Sequence, residues 1–149
     1  MFGKGAALLA VLLVLCSGAA RSAEAPLPYQ IVGKGVPVPL SGTPGNAENG
    51  RALVASRAGG NCLACHAAPI PEESDHGRVG PDLRGVGSRF GAAELRLRVV
   101  DPKVLHPDTM MPAFFRAEGL NEVAAPFRGQ TILSAQEVED VVAYLMTLK

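Results

Sequence analysis

Within residues 59–69, GGNCLACHAAP, two cysteines and a histidine fall in five consecutive positions: Cys62, Cys65 and His66. Such residues at such spacing support four chemistries: half of a zinc site, a dithiol redox switch, a small disulfide, or a haem attachment point. A structural zinc site needs four Cys or His ligands at set spacings. Beyond the motif the chain offers only His76 and His106, with no second C-x-x-C pair. A thioredoxin-like dithiol should follow a strand and open a long helix in an alternating β/α chain, and that pattern is missing. A lone disulfide would leave His66 unexplained. C-x-x-C-H is the attachment signature of c-type haem. Positions three apart on a turn of helix face the same side. Cys62 and Cys65 can therefore form thioethers to the two vinyl groups of one haem, and His66 can place an imidazole nitrogen on its iron.

A six-coordinate haem needs a second axial donor. The candidates are Met110, Met111, Met146, His76 and His106. Met146 falls in the final helical segment, off its apolar stripe. His76 lies ten residues after His66, an awkward reach to the opposite haem face, and His106 sits in the loop HPDTMMPAFF. Met110 and Met111 lie 44 and 45 residues beyond His66, far enough to cover the other face. Pro112 restricts the backbone of Met111 to extended geometry, which favours Met111 as the ligand. Gap-filling core methionines are the ordinary alternative, but a haem motif demands a face-closing ligand or leaves an open site. His/Met ligation raises haem potential, which suits an electron acceptor.

These residues need elements to hold them. The chain has 149 residues, with 48% hydrophobic and only 5% aromatic residues and no Trp, so a domain of this size has a thin core that a buried apolar cofactor would fill. Plentiful Gly (17) and Pro (12) predict long ordered loops. Much of the apolar content sits at the start. Lys4 precedes the run AALLAVLLVL at 6–15, and small residues follow in CSGAARSAEA. The run is too short to span a membrane, which takes about 20 apolar residues, and reads as a secretory signal peptide over residues 1–23. A lipoprotein reading through Cys16 is disfavoured by bulky Leu15 before it. Loss of Lys4 and Arg21 from 14 basic and 14 acidic residues leaves a formal charge of −2, with no basic surplus to suggest nucleic acid. Cleavage also removes Cys16, leaving Cys62 and Cys65 as the only cysteines of an exported chain in an oxidising compartment.

Residues 24–45 are rich in Pro and Gly and read as an extended N-terminal segment, lying across the domain or loose. Asn46 is a good N-cap for a helix in NAENGRALVASR, with Ala47, Gly50 and Val54 on one face; Gly50 suggests close approach of another element. The long loop after the motif is unusual unless it wraps something. Within it, the Gly80-Pro81 segment can bring a carbonyl to the outer nitrogen of His66, fixing the imidazole. GAAELRLRVVDP alternates like a strand, but its Ala-Glu start and Asp101-Pro102 stop favour a short helix. Ser134 to Glu137 form a capping box, and Leu133 and Val138 a hydrophobic staple. Val138, Val141, Val142, Leu145 and Leu148 then make one apolar stripe, with Tyr144 a candidate to pack over Gly50.

This order resembles class I cytochromes c: a helix with Gly50, C-x-x-C-H at 62–66, Gly80-Pro81-Asp82-Leu83, Asp101-Pro102-Lys103, Met111-Pro112, and a helix ending in Tyr144-Leu145. The stretches GPDLRGVGSR, LRLRVVDP, PDTMMPAFFR and ILSAQEVEDVVAYLMTL, together with a long insertion from Pro112 to Ser134, are similar to the SoxX family, the single-haem subunits of the Sox sulfur-oxidation system. The resemblance implies an all-α, class I cytochrome c-like domain over residues 46–149 around one covalent haem c. Cys62 and Cys65 would be its thioether residues, His66 and Met111 its axial ligands, and Pro81 the hydrogen-bond partner of His66. It also implies a periplasmic location, a SoxA-like haem partner, a SoxYZ-like carrier protein, and a downstream cytochrome c as electron acceptor. The implied activity is oxidative coupling of thiosulfate to a carrier cysteine, an L-cysteine S-thiosulfotransferase reaction. With no mature free thiol to hold a sulfur intermediate, this chain is expected to be the non-catalytic electron outlet. A stand-alone diffusible cytochrome c is the competing reading. A sensor haem with an open sixth site and a haem-free dithiol protein are further ones.

Overall fold

Asn46 opens the first helix: its side chain accepts the N–H groups of Glu48 and Asn49 at 2.9 and 3.0 Å. That helix, α1, runs Ala47–Ala55. The computed structural model describes residues 28–125 and 128–149, so the leader expected at residues 1–23 lies outside the described residues. Three further α-helices follow: α2 at Val86–Arg89, α3 at Ala92–Val100 and α4 at Ala135–Thr147. Among the described residues, 3-10 turns at Cys62–Ala64 and Pro102–Val104 interrupt the loops. There is no strand among the described residues, only an isolated bridge between Val32 and Gly35. None of the described helices is long and apolar enough to cross a membrane.

The α1–α4 crossing is the scaffold. The capping box at Ser134 is formed, with Glu137 N–H donating to Ser134 Oγ at 3.3 Å and Ser134 N–H to Glu137 Oε2 at 2.8 Å. Leu133 and Val138, the staple pair, are both fully buried. The predicted stripe on α4 is buried throughout, each fully buried aliphatic side chain contributing about 1.5–3 kcal/mol. Gly50 is what lets α1 approach. A Cβ there would sit 1.9 Å from the carbonyl oxygen of Asp140, so only hydrogen fits. The element nearest Gly50 is therefore the α4 main chain at Asp140–Val141 rather than the Tyr144 ring.

The LRLRV alternation resolves as helix. In α3, Leu95, Leu97, Val99 and Val100 are buried, and Arg96 is buried with them. The arginine is compensated: its Nε and Nη2 donate to Glu139 Oε1 and Oε2 on α4 at 2.7 and 2.8 Å, and its Nη1 to the Val36 carbonyl at 2.6 Å. Glu139 Oε1 also accepts the Leu40 N–H at 2.9 Å. Residues 28–45 are thereby fastened across α3 and α4 without regular structure of their own, with Val36 N–H also donating to Ala93 O at 2.9 Å. Removing one partner of such a buried pair costs about 3–5 kcal/mol.

The short helix α2 falls inside the stretch that the sequence presented as loop. Gly87 holds it against the chain end, donating to Leu148 O at 2.8 Å. The insertion after Pro112 is pinned at both ends: Phe114 and Phe115 donate to Val99 O and Val100 O at 3.1 and 3.2 Å, and Leu133 donates back to Phe114 O at 2.9 Å.

Candidate haem site

A short turn over residues 56–61 leads from α1 into the C-x-x-C-H segment. Asn61 adopts a left-handed conformation (φ 50°), which asparagine tolerates better than most residues. Gly60 N–H donates to Leu53 O at 3.1 Å and Asn61 N–H to Ser56 O at 2.9 Å, so the chain turns sharply off the helix. Cys62 to Ala64 then form one 3-10 turn, closed by Cys65 N–H to Cys62 O at 3.1 Å, with His66 N–H donating to the same oxygen at 2.9 Å. Leu63 is buried and anchors the turn. Neither cysteine forms a disulfide; Cys65 is exposed and Cys62 half-buried. Burial pushes the Cys62 thiol up to about 11.

His66 is held by main chain. Its Nδ1 lies 2.6 Å from the Pro81 carbonyl oxygen. A carbonyl only accepts, so Nδ1 carries the hydrogen and Nε2 keeps its lone pair for a metal. The α-carbon of Gly80 lies flat against the ring: a Cβ there would be 2.3 Å from His66 Cε1. Gly80 N–H donates to Cys65 O and Leu83 N–H to Ala67 O, both at 2.8 Å, and Gly77 N–H to Leu63 O at 2.7 Å. The loop thus zips back along the motif it follows. Arg89 braces the turn beyond Pro81, donating to the carbonyls of Asp82 and Arg84 at 2.9 and 2.7 Å.

Cys62, His66 and Met111 all line one cleft, whose walls are Val54 of α1, Leu83, Val99 of α3, and Val141 and Leu145 of α4. Phe114 and Leu133 from the ends of the insertion complete it. Met110, by contrast, is 84% exposed. His106 is exposed. His76 Nδ1 instead accepts the Ala68 N–H at 3.4 Å. Met146 is half-buried against the core. Among the described residues no group of three or more His, Cys, Asp or Glu side chains could hold a metal ion.

A planar apolar cofactor fits this set of residues. The walls are hydrocarbon, a cysteine and a ring nitrogen with a free lone pair stand at one side, and a thioether, a soft neutral donor, belongs to the same cleft. Gly80 supplies the close packing that a correctly oriented imidazole needs. Two residues around Met111 carry structural roles that the sequence did not reveal. Thr109 Oγ1 accepts the Met111 N–H at 3.2 Å, and Lys103 Nζ donates to Thr109 O at 2.7 Å. A hydroxyl two residues before the methionine is the available signal, since such local hydroxyl-to-backbone bonds recur in turns.

The cytochrome c family pattern matches residues 47–149. No protein with a curated description matches the chain. Among solved structures, the crystal structure of SoxXA from P. pantotrophus contains a similar chain. The TM-score is 0.77 and the identity 38%, over 85% of this chain and 98% of that one. The match covers more of this chain than residues 47–149 make up, so it reaches into the segment preceding α1. The site and the comparisons agree: the chain belongs to the cytochrome c family, as a SoxX-type member carrying one covalent haem c.

Proposed function

We propose that this chain is the exported electron-transfer subunit of a SoxAX-type complex that couples thiosulfate to a carrier-protein cysteine. The observation that carries the reading is the likeness to the SoxXA chain, which spans 98% of that chain and continues beyond the cytochrome core. Residues 1–23 act as the signal peptide, residues 24–45 as the extended segment and 46–149 as the haem domain. Cys62 and Cys65 anchor the haem, and His66 and Met111 are its axial ligands.

The coupling joins a carrier thiol, R–SH, to thiosulfate. It yields R–S–S–SO₃⁻, one proton and two electrons. A bound haem supplies a one-electron acceptor. This chain has no free mature thiol, so the S–S bond forms on the partner. What this chain's residues contribute is control of that acceptor. Pro81 O keeps the His66 proton on Nδ1, the apolar walls exclude water, and the Met111 thioether favours the reduced state relative to a second histidine. Electrons leave singly for a downstream cytochrome c, so the chain turns over twice per S–S bond or shares the pair with a haem of its partner.

The test is affinity purification of the tagged chain from thiosulfate-grown cells of its own source. A stoichiometric haem-staining partner is expected, with haem reduction on adding thiosulfate and carrier thiol. A red monomer indifferent to thiosulfate would overturn the coupling role and leave a diffusible shuttle.

A further inference from the structure

Met111 sits on a segment with little main-chain bonding of its own. Thr109 N–H donates to His106 O at 3.0 Å, and the next main-chain pairing is Phe114 N–H to Val99 O at 3.1 Å. Pro112, between them, has no N–H to give. What ties the intervening residues is Thr109. Its hydroxyl accepts the Met111 N–H at 3.2 Å, and its carbonyl accepts the Lys103 ammonium at 2.7 Å. Lys103 is itself placed by the 3-10 turn at Pro102–Val104, where its N–H donates to Asp101 Oδ1 at 3.2 Å. Asp101 is buried at the end of α3, and its other oxygen accepts from Arg116 Nη1 at 3.2 Å. A continuous polar tether therefore runs from a buried carboxylate on the core to the backbone of Met111.

We propose that Thr109 and Lys103 are positioning residues that keep the Met111 thioether in the cleft and so set how readily the sixth ligand leaves the iron. The proposal rests on Met111 being that ligand. Neither residue lines the cleft; both act through the backbone of residues 109–111. The flanking Met110 side chain points to solvent and adds no hold on the loop. Loss of the Thr109 hydroxyl frees the Met111 N–H and lets the loop lift. Loss of the ammonium frees one end of the same tether but leaves the hydroxyl bond.

The experiment uses the haem-loaded, full-length ferric protein and measures the limiting rate of cyanide binding, which is governed by methionine dissociation. Thr109→Val should raise that rate by roughly five-fold, the factor corresponding to one ordinary hydrogen bond. Thr109→Ser, which keeps the hydroxyl, should restore the wild-type rate, and Lys103→Met should fall between the two. Thermal midpoints measured alongside separate a local effect from general loosening. A wild-type rate in Thr109→Val, or an equal increase in Thr109→Ser, overturns the proposal. If Thr109→Val does not accumulate, Lys103→Met decides it: a wild-type rate there refutes the tether. Met111→Ala separates the two levels. If it keeps the methionine-to-iron charge-transfer band, the ligand assignment fails. If it loses the band while Thr109→Val behaves as wild type, only the positioning role fails.

Discussion

On the His66 side of the cleft, main-chain groups hold the imidazole. Pro81 O bonds the ring at 2.6 Å, Gly80 packs under it, and Gly77, Gly80 and Leu83 donate back to Leu63, Cys65 and Ala67. On the Met111 side, one hydroxyl and one ammonium carry the equivalent load. The difference lies in what each side can tolerate. Main-chain contacts survive most side-chain changes but fail where a glycine gains a Cβ. Side-chain tethers fail one substitution at a time, and each failure is small. The histidine side is thus built for permanence, the methionine side for adjustable strength. With Met111 as the proposed sixth ligand, an electron carrier gains from that asymmetry, because a thioether ligand is one that tunes haem potential.

The largest expected effect breaks the histidine side. Gly80→Ala would place a Cβ 2.3 Å from His66 Cε1, against a ring already fixed by Pro81 O. The ring must rotate or the loop must lift, at a cost of about 3 kcal/mol. The expected outcome is a steep fall in haem-loaded protein, read as the ratio of haem absorbance to total protein in the exported fraction. Normal loading would show that the loop yields easily, and the contrast between the two sides would collapse. Next comes Met111→Ala. Loss of the thioether should lower the reduction potential, abolish the ferric methionine-to-iron band, and cost about 2 kcal/mol in thermal unfolding. Met110→Ala, at an 84% exposed position, should leave all three unchanged. The reverse pattern would move the ligand by one residue and detach it from the Thr109 tether.

The histidine side was also the more legible in sequence, for the same physical reason. Main-chain contacts demand fixed residue types at fixed spacings, and C-x-x-C-H with a following Gly80-Pro81 is such a pattern. Capping at Asn46 and Ser134 and the stripe on α4 are likewise local rules, and the helices they start lie where the sequence put them. What sequence reading missed depends on contacts between distant segments. Glu139 and Asp140 look like solvated charges, yet both are buried, because Arg96 pairs with the first and the Asn46 N–H donates to the second at 2.7 Å. Both lie off the apolar stripe of α4, so helical spacing gave no signal of their burial. The α2 turn is too short for periodicity to show. The Lys103 to Thr109 bond joins residues whose types are common on any surface, so only the folded loop reveals it.

The smallest effect concerns the two thiols before haem attachment, and it sharpens the picture of the histidine side. Burial raises the Cys62 thiol from the usual 9.0 to about 11, while Cys65 is exposed. The fold therefore prefers Cys62 protonated. In the haem-free chain this preference contributes stability that is fully present below pH 9.0 and is lost as pH rises towards about 11, because the unfolded chain ionises first. Cys62→Ser should flatten that alkaline decline in chemical denaturation of the haem-free protein, and an unchanged decline would show that burial of this thiol does not set it. Burial also lowers the reactivity of Cys62, since the thiolate is the nucleophile, while Cys65 is open to a reagent. At pH 8 an alkylating reagent should modify Cys65 before Cys62, as read by peptide mass mapping of a partial reaction. Equal rates would mean that the 62–64 turn opens freely without haem. The histidine side would then owe its rigidity to the cofactor rather than to Gly77, Gly80 and Pro81, which hold that turn and ring through main chain alone.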